Sequence, residues 1–406
     1  MSHTPPSIAL AAPDAFVSPF GIARMQTELI TRLCHRADLH LLMLKRVLAK
    51  LGEGPLPGPL QKASPQYYSA PSALMAGAPR ILGRCLNRRD LWTRPLSQMM
   101  SLLSQRVFQG VFVDRRRYDL LHATANFVPD TRGPTKRIIT VHDTIPLIHP
   151  DGLPAIILKG FLRKNELRSD DVIVTDSNAS RADILERFGA GVERVRVIPL
   201  GVDLDYFGAK SALPTAPQAP FLFTVSILAQ HKNLVRGLRA FEQLAQRHPE
   251  LMWKIAGPKG WGADEFLAAV ENSPAKDRIV VMGRVSDAQL RSHYRGAAAF
   301  FLPTMAEGFG VPLLEAMAAG AVTAVSDIGA LREIGGEAPF YFDPQREETM
   351  VKALESALVD ERERRRKLGL EQAARFTWER TAETYLKLYA EVLGTDVAAL
   401  APQGNG

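Results

Sequence analysis

Residues 298–320 read AAFFLPTMAEGFGVPLLEAMAAG: an apolar run, a short loop holding two glycines, then a helical pattern. Ala298–Leu302 has the near-continuous apolar character of a parallel strand covered on both faces. Gly308 and Gly310 let the backbone approach a ligand closely. Pro312 suits the first helical position, where a missing N–H costs nothing, and Gly320 suits the residue just past the helix end. A short helix is therefore expected to begin near Val311 with its positive end toward the loop. Free N–H groups and the helix dipole make such an end an anion site, suited to a diphosphate. Glu315 is read as falling in the first turn and Glu307 stands before the glycines, so both carboxylates would flank one ligand. A capped crossover helix with surface glutamates is the plain alternative.

Outward from this stretch, short β-rich runs alternate with helical patterns. In the first half the expected strands are Ser7–Ala12, Asp38–Met43, Tyr118–Ala123, Arg137–His142, Asp171–Asp176 and Arg194–Ile198. In the second half they are Phe221–Ser226, Leu251–Ala256, Arg278–Met282, Ala298–Leu302, Ala321–Ser326 and Pro339–Phe342. Between them lie amphipathic segments, for example Leu234–Gln246 with Leu234, Leu238, Phe241 and Ala245 on one face. Strand–helix alternation implies right-handed crossovers and doubly wound α/β sheets, and the pattern occurs twice. The expected organisation is a domain over residues 1–207, a Pro/Ala-rich linker over 208–220 and a second domain over 221–376. A C-terminal helix over 377–394, packing back on the first domain, and a frayed tail over 395–406 complete it. Residues 49–79, rich in Pro, Gly and Ser, are read as a loop.

Composition narrows the class. At 406 residues, 46% hydrophobic and 23% charged, the chain is ordinary for a globular protein of two domains. Two cysteines, Cys34 and Cys85, do not make a disulfide framework or a four-ligand metal site. The first residues lack the basic start and apolar core of a signal peptide, and no apolar run reaches the roughly 20 residues that span a bilayer. A cytoplasmic location is expected. The net charge of +7 is uneven: up to Phe207 there are 27 Lys and Arg against 19 Asp and Glu, and within Leu41–Arg117 13 against 3. Such a surface attracts anionic headgroups or phosphorylated ligands. Nucleic acid is not expected, since no recognised binding motif accompanies the charge.

The segment Glu307–Gly320 resembles the Glu-x7-Glu motif of family-four retaining glycosyltransferases of GT-B fold, E-G-F-G-x-P-x-L-E-A-M-A-x-G, and matches every fixed position. The resemblance implies two Rossmann-like doubly wound domains facing a central cleft. It also implies that Glu307 lies beside the donor sugar and that Glu315 hydrogen-bonds the ribose hydroxyls. The backbone of Gly308, Phe309, Gly310 and Val311 would face the sugar or diphosphate. Other segments are similar to family landmarks. Ser18–Arg24, including Gly21, follows the first strand where the family carries a glycine loop. Val141-His142-Asp143-Thr144 resembles a strand-end motif whose histidine reaches the donor sugar. Asp176–Ser180 and Pro199–Asp203 match further landmarks. Val225–Leu234 matches the diphosphate-binding segment: Lys232 agrees, whereas Ser226 stands where a glycine and His231 where an arginine is common. Asn233 is a candidate helix N-cap. Asp203-Leu204-Asp205 looks like a D-x-D metal motif, but sits in the Gly201–Phe207 pattern that ends the family's first domain, and it is not read as a metal site.

The resulting expectation is a hexosyltransferase with catalytic His142, Lys232 and Glu307. Its donor-binding residues are Gly21, Ser226, His231, Lys232, Glu307, Gly308, Phe309, Gly310, Val311 and Glu315. No metal or cofactor is expected beyond the nucleotide-sugar substrate. Mannose from GDP-mannose is the favoured donor and a lipid-linked or saccharide acceptor in surface polysaccharide synthesis the favoured partner. An anionic membrane at the inner face of the plasma membrane would meet the basic segment. The rivals are a phosphorylase or epimerase of like architecture and a non-catalytic nucleotide-sugar-binding homologue or scaffold.

Overall fold

In the computed structural model of the 406-residue chain, the described residues are 5–11, 21–44, 64–68, 113–114, 118–124, 130–131, 135–148, 170–188, 194–208 and 219–402. Most of the basic stretch Leu41–Arg117, the loop before Gly21 and most of the expected linker lie outside them.

Each expected strand forms. The first sheet holds β1 (Ile8–Ala11), β2 (Leu39–Leu44), β3 (Ser64–Tyr68), β5 (Leu120–Ala123), β7 (Lys136–Thr140), β8 (Val172–Thr175) and β9 (Val195–Val197). It runs in the order β3-β2-β1-β5-β7-β8-β9, and all its strands are parallel. Two-residue strands β4 (Val113–Asp114) and β6 (Asp130–Thr131) pair separately. The second sheet holds β10 (Phe221–Val225), β11 (Met252–Ala256), β12 (Ile279–Gly283), β13 (Ala299–Leu302), β14 (Thr323–Ser326) and β15 (Phe340–Phe342), ordered β12-β11-β10-β13-β14-β15 and parallel throughout. Both orders place the first strand beside one from the later half, the doubly wound pattern whose reversal point opens a crevice at the strands' carboxyl ends. In the second sheet that point lies between β10 and β13.

β3 corrects the reading of residues 49–79 as a loop: five of those residues form an edge strand on β2. Pro65, second in the strand, hid it, because proline reads as a breaker yet is tolerated where one side of the strand has no partner.

The core of the second sheet shows why these residues take these places. Trp253 on β11 is fully buried among Phe241, Phe266 and Phe301. Its indole N–H donates to Thr224 Oγ1 at 2.9 Å, and that hydroxyl donates to Phe301 O at 2.6 Å, so the buried threonine hydroxyl and the indole satisfy each other. The helix Leu234–Arg247 buries Leu234, Leu238, Phe241 and Leu244. It lies close on the sheet because Gly237 carries no Cβ, which would stand 3.0 Å from Pro303 and 3.3 Å from Phe301.

Contacts divide the chain into two compact units. One is residues 1–175, 183–198 and 381–406; the other is residues 176–182 and 199–380. The helix Trp378–Leu393 enters the first unit at Thr381, where Tyr385 and Tyr389 are fully buried. Beyond it, Val397–Leu400 forms a 3₁₀ turn with Leu400 buried, and Asp38 N donates to Leu400 O at 3.1 Å. The expected frayed tail is therefore packed as far as this turn.

Candidate active site

The reversal point of the second sheet brings together the loops that follow β10 and β13. After β10 the chain passes the buried Ser226, ties Leu228 N to Pro258 O at 2.9 Å and closes a 3₁₀ turn over Gln230–Lys232. The carbonyl of His231 accepts from Met305 N at 2.8 Å and from Thr304 Oγ1 at 3.2 Å. The turn bearing Lys232 is thereby bonded to the loop bearing Glu307. Lys232 Nζ and Glu307 Oε1 stand 2.6 Å apart, their side chains 12% and 10% exposed. Asn233 occupies the cap position but does not cap with its side chain. Its backbone is left-handed, φ 57°, which asparagine tolerates better than most residues. Its amide instead donates to Pro303 O and Pro344 O at 2.9 and 2.8 Å, holding the strand-end loops together.

After β13 come the two glycines. The carbonyl of Gly308 accepts from Ser177 Oγ at 2.6 Å and Ser180 Oγ at 2.9 Å. These serines belong to the segment 176–182, which follows β8 yet packs within the second unit. Glu333 meets the same segment, accepting from Asn178 N and Asn178 Nδ2, each at 2.8 Å, at the start of the helix Asn178–Phe188. A carboxylate there satisfies orphan N–H groups and suits the positive helix end. The Phe309 ring is buried edge-on to Phe376, so this residue can offer a ligand little beyond its backbone. Gly310, at φ 98°, is the cap of the helix Val311–Ala318. A Cβ on it would lie 2.5 Å from Leu331 Cδ2, so both conformation and space call for glycine.

The helix begins at Val311, so Pro312 is its second residue and Glu315 lies past the first turn rather than in it. Glu315 is buried, and Tyr294 Oη donates to its Oε2 at 3.0 Å.

In the first unit, Gly21 opens the helix Gly21–Leu33; the residues before it are outside the description. His142 follows β7, is buried, and sets Nε2 3.2 Å from Thr124 O. Thr124 in turn donates to Ala11 O at 2.6 Å and accepts from Gln26 Nε2 at 2.9 Å. The carboxyl ends of β1, β5 and β7 are thus cross-tied around this sheet's own reversal point. Beneath them lies His122, with Nδ1 2.6 Å from Tyr389 Oη and Nε2 2.8 Å from Thr140 Oγ1. Full burial, with His142 nearby adding to it, lowers the His122 pKa to about 3, so its ring is neutral at physiological pH.

Asp203 caps the helix Leu204–Phe207, accepting from Tyr206 N at 2.8 Å, so the carboxylate that opens the D-x-D triplet serves the backbone. Among the described residues no three His, Cys, Asp or Glu side chains gather as a metal site would require. No described helix is long and apolar enough to cross a membrane.

Lys232 and Glu307 are thus in contact, the Gly308–Val311 backbone and Glu315 belong to the adjoining loop and helix, and His142 and Gly21 belong to the other unit. Sequence reading missed Tyr294, Glu333 and His122. It saw Ser177 and Ser180 only as a landmark, although their spacing is that of a helix start, and Ser177 Oγ accepts from Ser180 N at 3.0 Å.

The family model described as Glycosyltransferase Family 4 matches residues 70–206, and Glycosyl transferases group 1 matches residues 209–375. The chain is a family-four-like glycosyltransferase. This hexosyltransferase is 28% identical over 384 residues to the O-antigen chain mannosyltransferase B of Escherichia coli, an alignment covering 91% of this chain and 95% of that protein. It is 26% identical over 297 residues to the serotype-specific mannosyltransferase WbdA of Escherichia coli, 69% of this chain but only 36% of that longer protein. Among solved structures, the glycosyltransferase superposes on sucrose-phosphate synthase from Thermosynechococcus elongatus with a TM-score of 0.68 at 16% identity, over 96% of this chain and 99% of that one. WaaG, a glycosyltransferase involved in lipopolysaccharide biosynthesis, gives 0.64 at 14% identity, over 95% and 100%. The fold is GT-B, two Rossmann-like α/β domains.

Proposed function

We propose that this glycosyltransferase moves mannose from GDP-mannose to a lipid-linked or saccharide acceptor in surface polysaccharide synthesis, with retention of anomeric configuration. The choice of sugar rests on the mannosyltransferase names of its relatives. The chemistry rests on one observation: the Lys232 ammonium and the Glu307 carboxylate are held 2.6 Å apart on the two loops at the sheet's reversal point, next to the glycine loop and a helix start. Departure of a nucleoside diphosphate builds negative charge on its terminal phosphate and positive character on the sugar. An ammonium, loop N–H groups and a helix N-terminus stabilise the first, and a carboxylate beside the sugar the second.

Without a donor, Glu307 neutralises Lys232 and keeps it in place. A bound diphosphate would bring more negative charge to the same ammonium, so that the lysine is already aimed when the bond breaks. Glu315 takes the ribose hydroxyls, Ser226 and His231 complete the diphosphate wall, and His142 serves the sugar from the first domain. The chemistry proposed for this set uses no metal. The basic stretch Leu41–Arg117 draws the enzyme to an anionic membrane carrying its acceptor, each basic residue near such a surface contributing about 1 kcal/mol.

The test is product formation across UDP-, GDP- and ADP-sugars with excess EDTA. GDP-mannose should be consumed and an α-linked product formed. Turnover confined to another donor overturns the sugar assignment, and activity lost to EDTA but restored by magnesium or manganese overturns the metal-free chemistry.

A further inference from the structure

Glu315 is the buried carboxylate of the proposed donor set, and Tyr294 is one of the groups that hold it. That tyrosine lies on the helix Asp287–Gly296, whose start is fixed by a reciprocal capping box between Ser286 and Gln289. Its fully buried ring meets Phe207, Phe223 and Phe300, with centroids at 6.0, 5.3 and 5.5 Å. A ring enclosed by three others has little rotational freedom, so its hydroxyl occupies one place. From there it donates to Glu315 Oε2 at 3.0 Å. A carboxylate offers roughly four acceptor positions; filling one with a fixed donor sets the rotation of the group, and with it the direction of the others.

We infer that Tyr294 is a positioning residue for donor recognition: acting through Glu315, it turns the carboxylate so that it accepts from the vicinal hydroxyls of the donor's ribose. This rests on the reading of Glu315 given above. Two adjacent hydroxyls meet one carboxylate only if its plane matches theirs, and a carboxylate with one fixed donor fewer would surrender part of that match to entropy. The lysine and the glycine loop act on the diphosphate and are untouched, so the effect should fall on affinity for the ribose and not on the chemical step.

Tyr294→Phe removes one oxygen and leaves the aromatic packing. Calorimetric titration of the full chain with GDP and 2′-deoxy-GDP, and in parallel with the uridine pair, should show wild-type preference for the ribonucleotide. In Tyr294→Phe that affinity should drop about tenfold, 2′-deoxynucleotide affinity and kcat staying within twofold. The double variant with Glu315→Gln should bind the ribonucleotide no worse than Glu315→Gln alone. Ribonucleotide affinity unchanged in Tyr294→Phe, or both nucleotides weakened equally, overturns the inference, the second result marking a purely structural tyrosine. A Tyr294→Phe chain that has lost its native near-ultraviolet dichroism also counts as that structural result. A wild type indifferent to the 2′-hydroxyl removes instead the reading of Glu315, and the inference with it.

Discussion

Lys232 and Glu307 are 75 residues apart in the chain yet share a 2.6 Å contact. The pair separates two roles that one substitution would confuse. Lys232→Ala strips a nearly buried carboxylate of its partner, a change that typically costs 3–5 kcal/mol, and also removes the ammonium from the leaving diphosphate. Stability and kcat should therefore both fall, kcat by about ten- to a hundredfold. Adding Glu307→Gln to Lys232→Ala should recover most of the denaturation midpoint and none of the turnover, as read from urea melts beside steady-state kinetics. Recovery of turnover would mean that Lys232 serves the fold alone.

His122 makes a second prediction at this scale. Its pKa is about 3 when folded against 6.5 as a model value, so below 6.5 the unfolded chain takes up a proton that the folded one refuses. Stability of the first unit should drop as pH falls from 6.5 toward 3, at up to about 1.4 kcal/mol per pH unit, with no contribution above 6.5. His122→Gln, which cannot titrate, should flatten that slope even where it lowers stability at neutral pH. Denaturant midpoints taken from neutral pH down to about pH 5 decide it, and parallel slopes for the two proteins would refute it.

Among the elements, the carboxyl-end loops depend on glycines for want of space. A Cβ on Gly201 would stand 2.2 Å from Trp378 N and 2.5 Å from Thr377 C, where Val202 N also bonds Phe376 O at 3.0 Å. Backbone on both sides leaves nothing to rotate away, so Gly201→Ala should lower the second unit's melting temperature by several degrees, seen by differential scanning calorimetry. An unchanged melt would show that the two backbone segments are free to separate. The Gly308 carbonyl is held differently, by the hydroxyls of Ser177 and Ser180. Replacing both with alanine strands it, and should cost about 1–3 kcal/mol and raise the donor KM. A KM equal to wild type would detach this loop from donor binding.

At the same scale, legibility followed local pattern. β13 and the helix Leu234–Arg247 were plain because apolar period and punctuation agree. Pro65 concealed β3, Asn233 took a left-handed conformation that its residue type permits but does not announce, and Glu315 proved to lie just past the first helical turn.

For the whole molecule, the chain's order is not its packing order. The C-terminal segment from Thr381 belongs to the unit that also holds the first strand, supplying Tyr385, Tyr389 and Leu400 as buried residues. A chain ending at Arg380 would leave His122 without Tyr389 and open the core under β5 and β7. It should lose the first unit's cooperative transition and become protease-sensitive there, whereas a chain ending at Pro402 should behave as full length. Protection of residues 1–175 in the shorter chain would contradict this.

The amino-acid order by itself determined the two sets of parallel strands, the helix after the glycine loop and the residue types suited to a diphosphate. Each of these is written in neighbours within about 20 positions, through apolar period, turn residues and a helix's free N–H groups. Only the tertiary structure decided that Lys232 pairs with Glu307, that Tyr294 holds Glu315, that Ser177 and Ser180 hold Gly308 and that Tyr389 covers His122. Those partners come from different strands and helices, and hydrogen-bond geometry and burial act on distance in space, which local pattern does not encode.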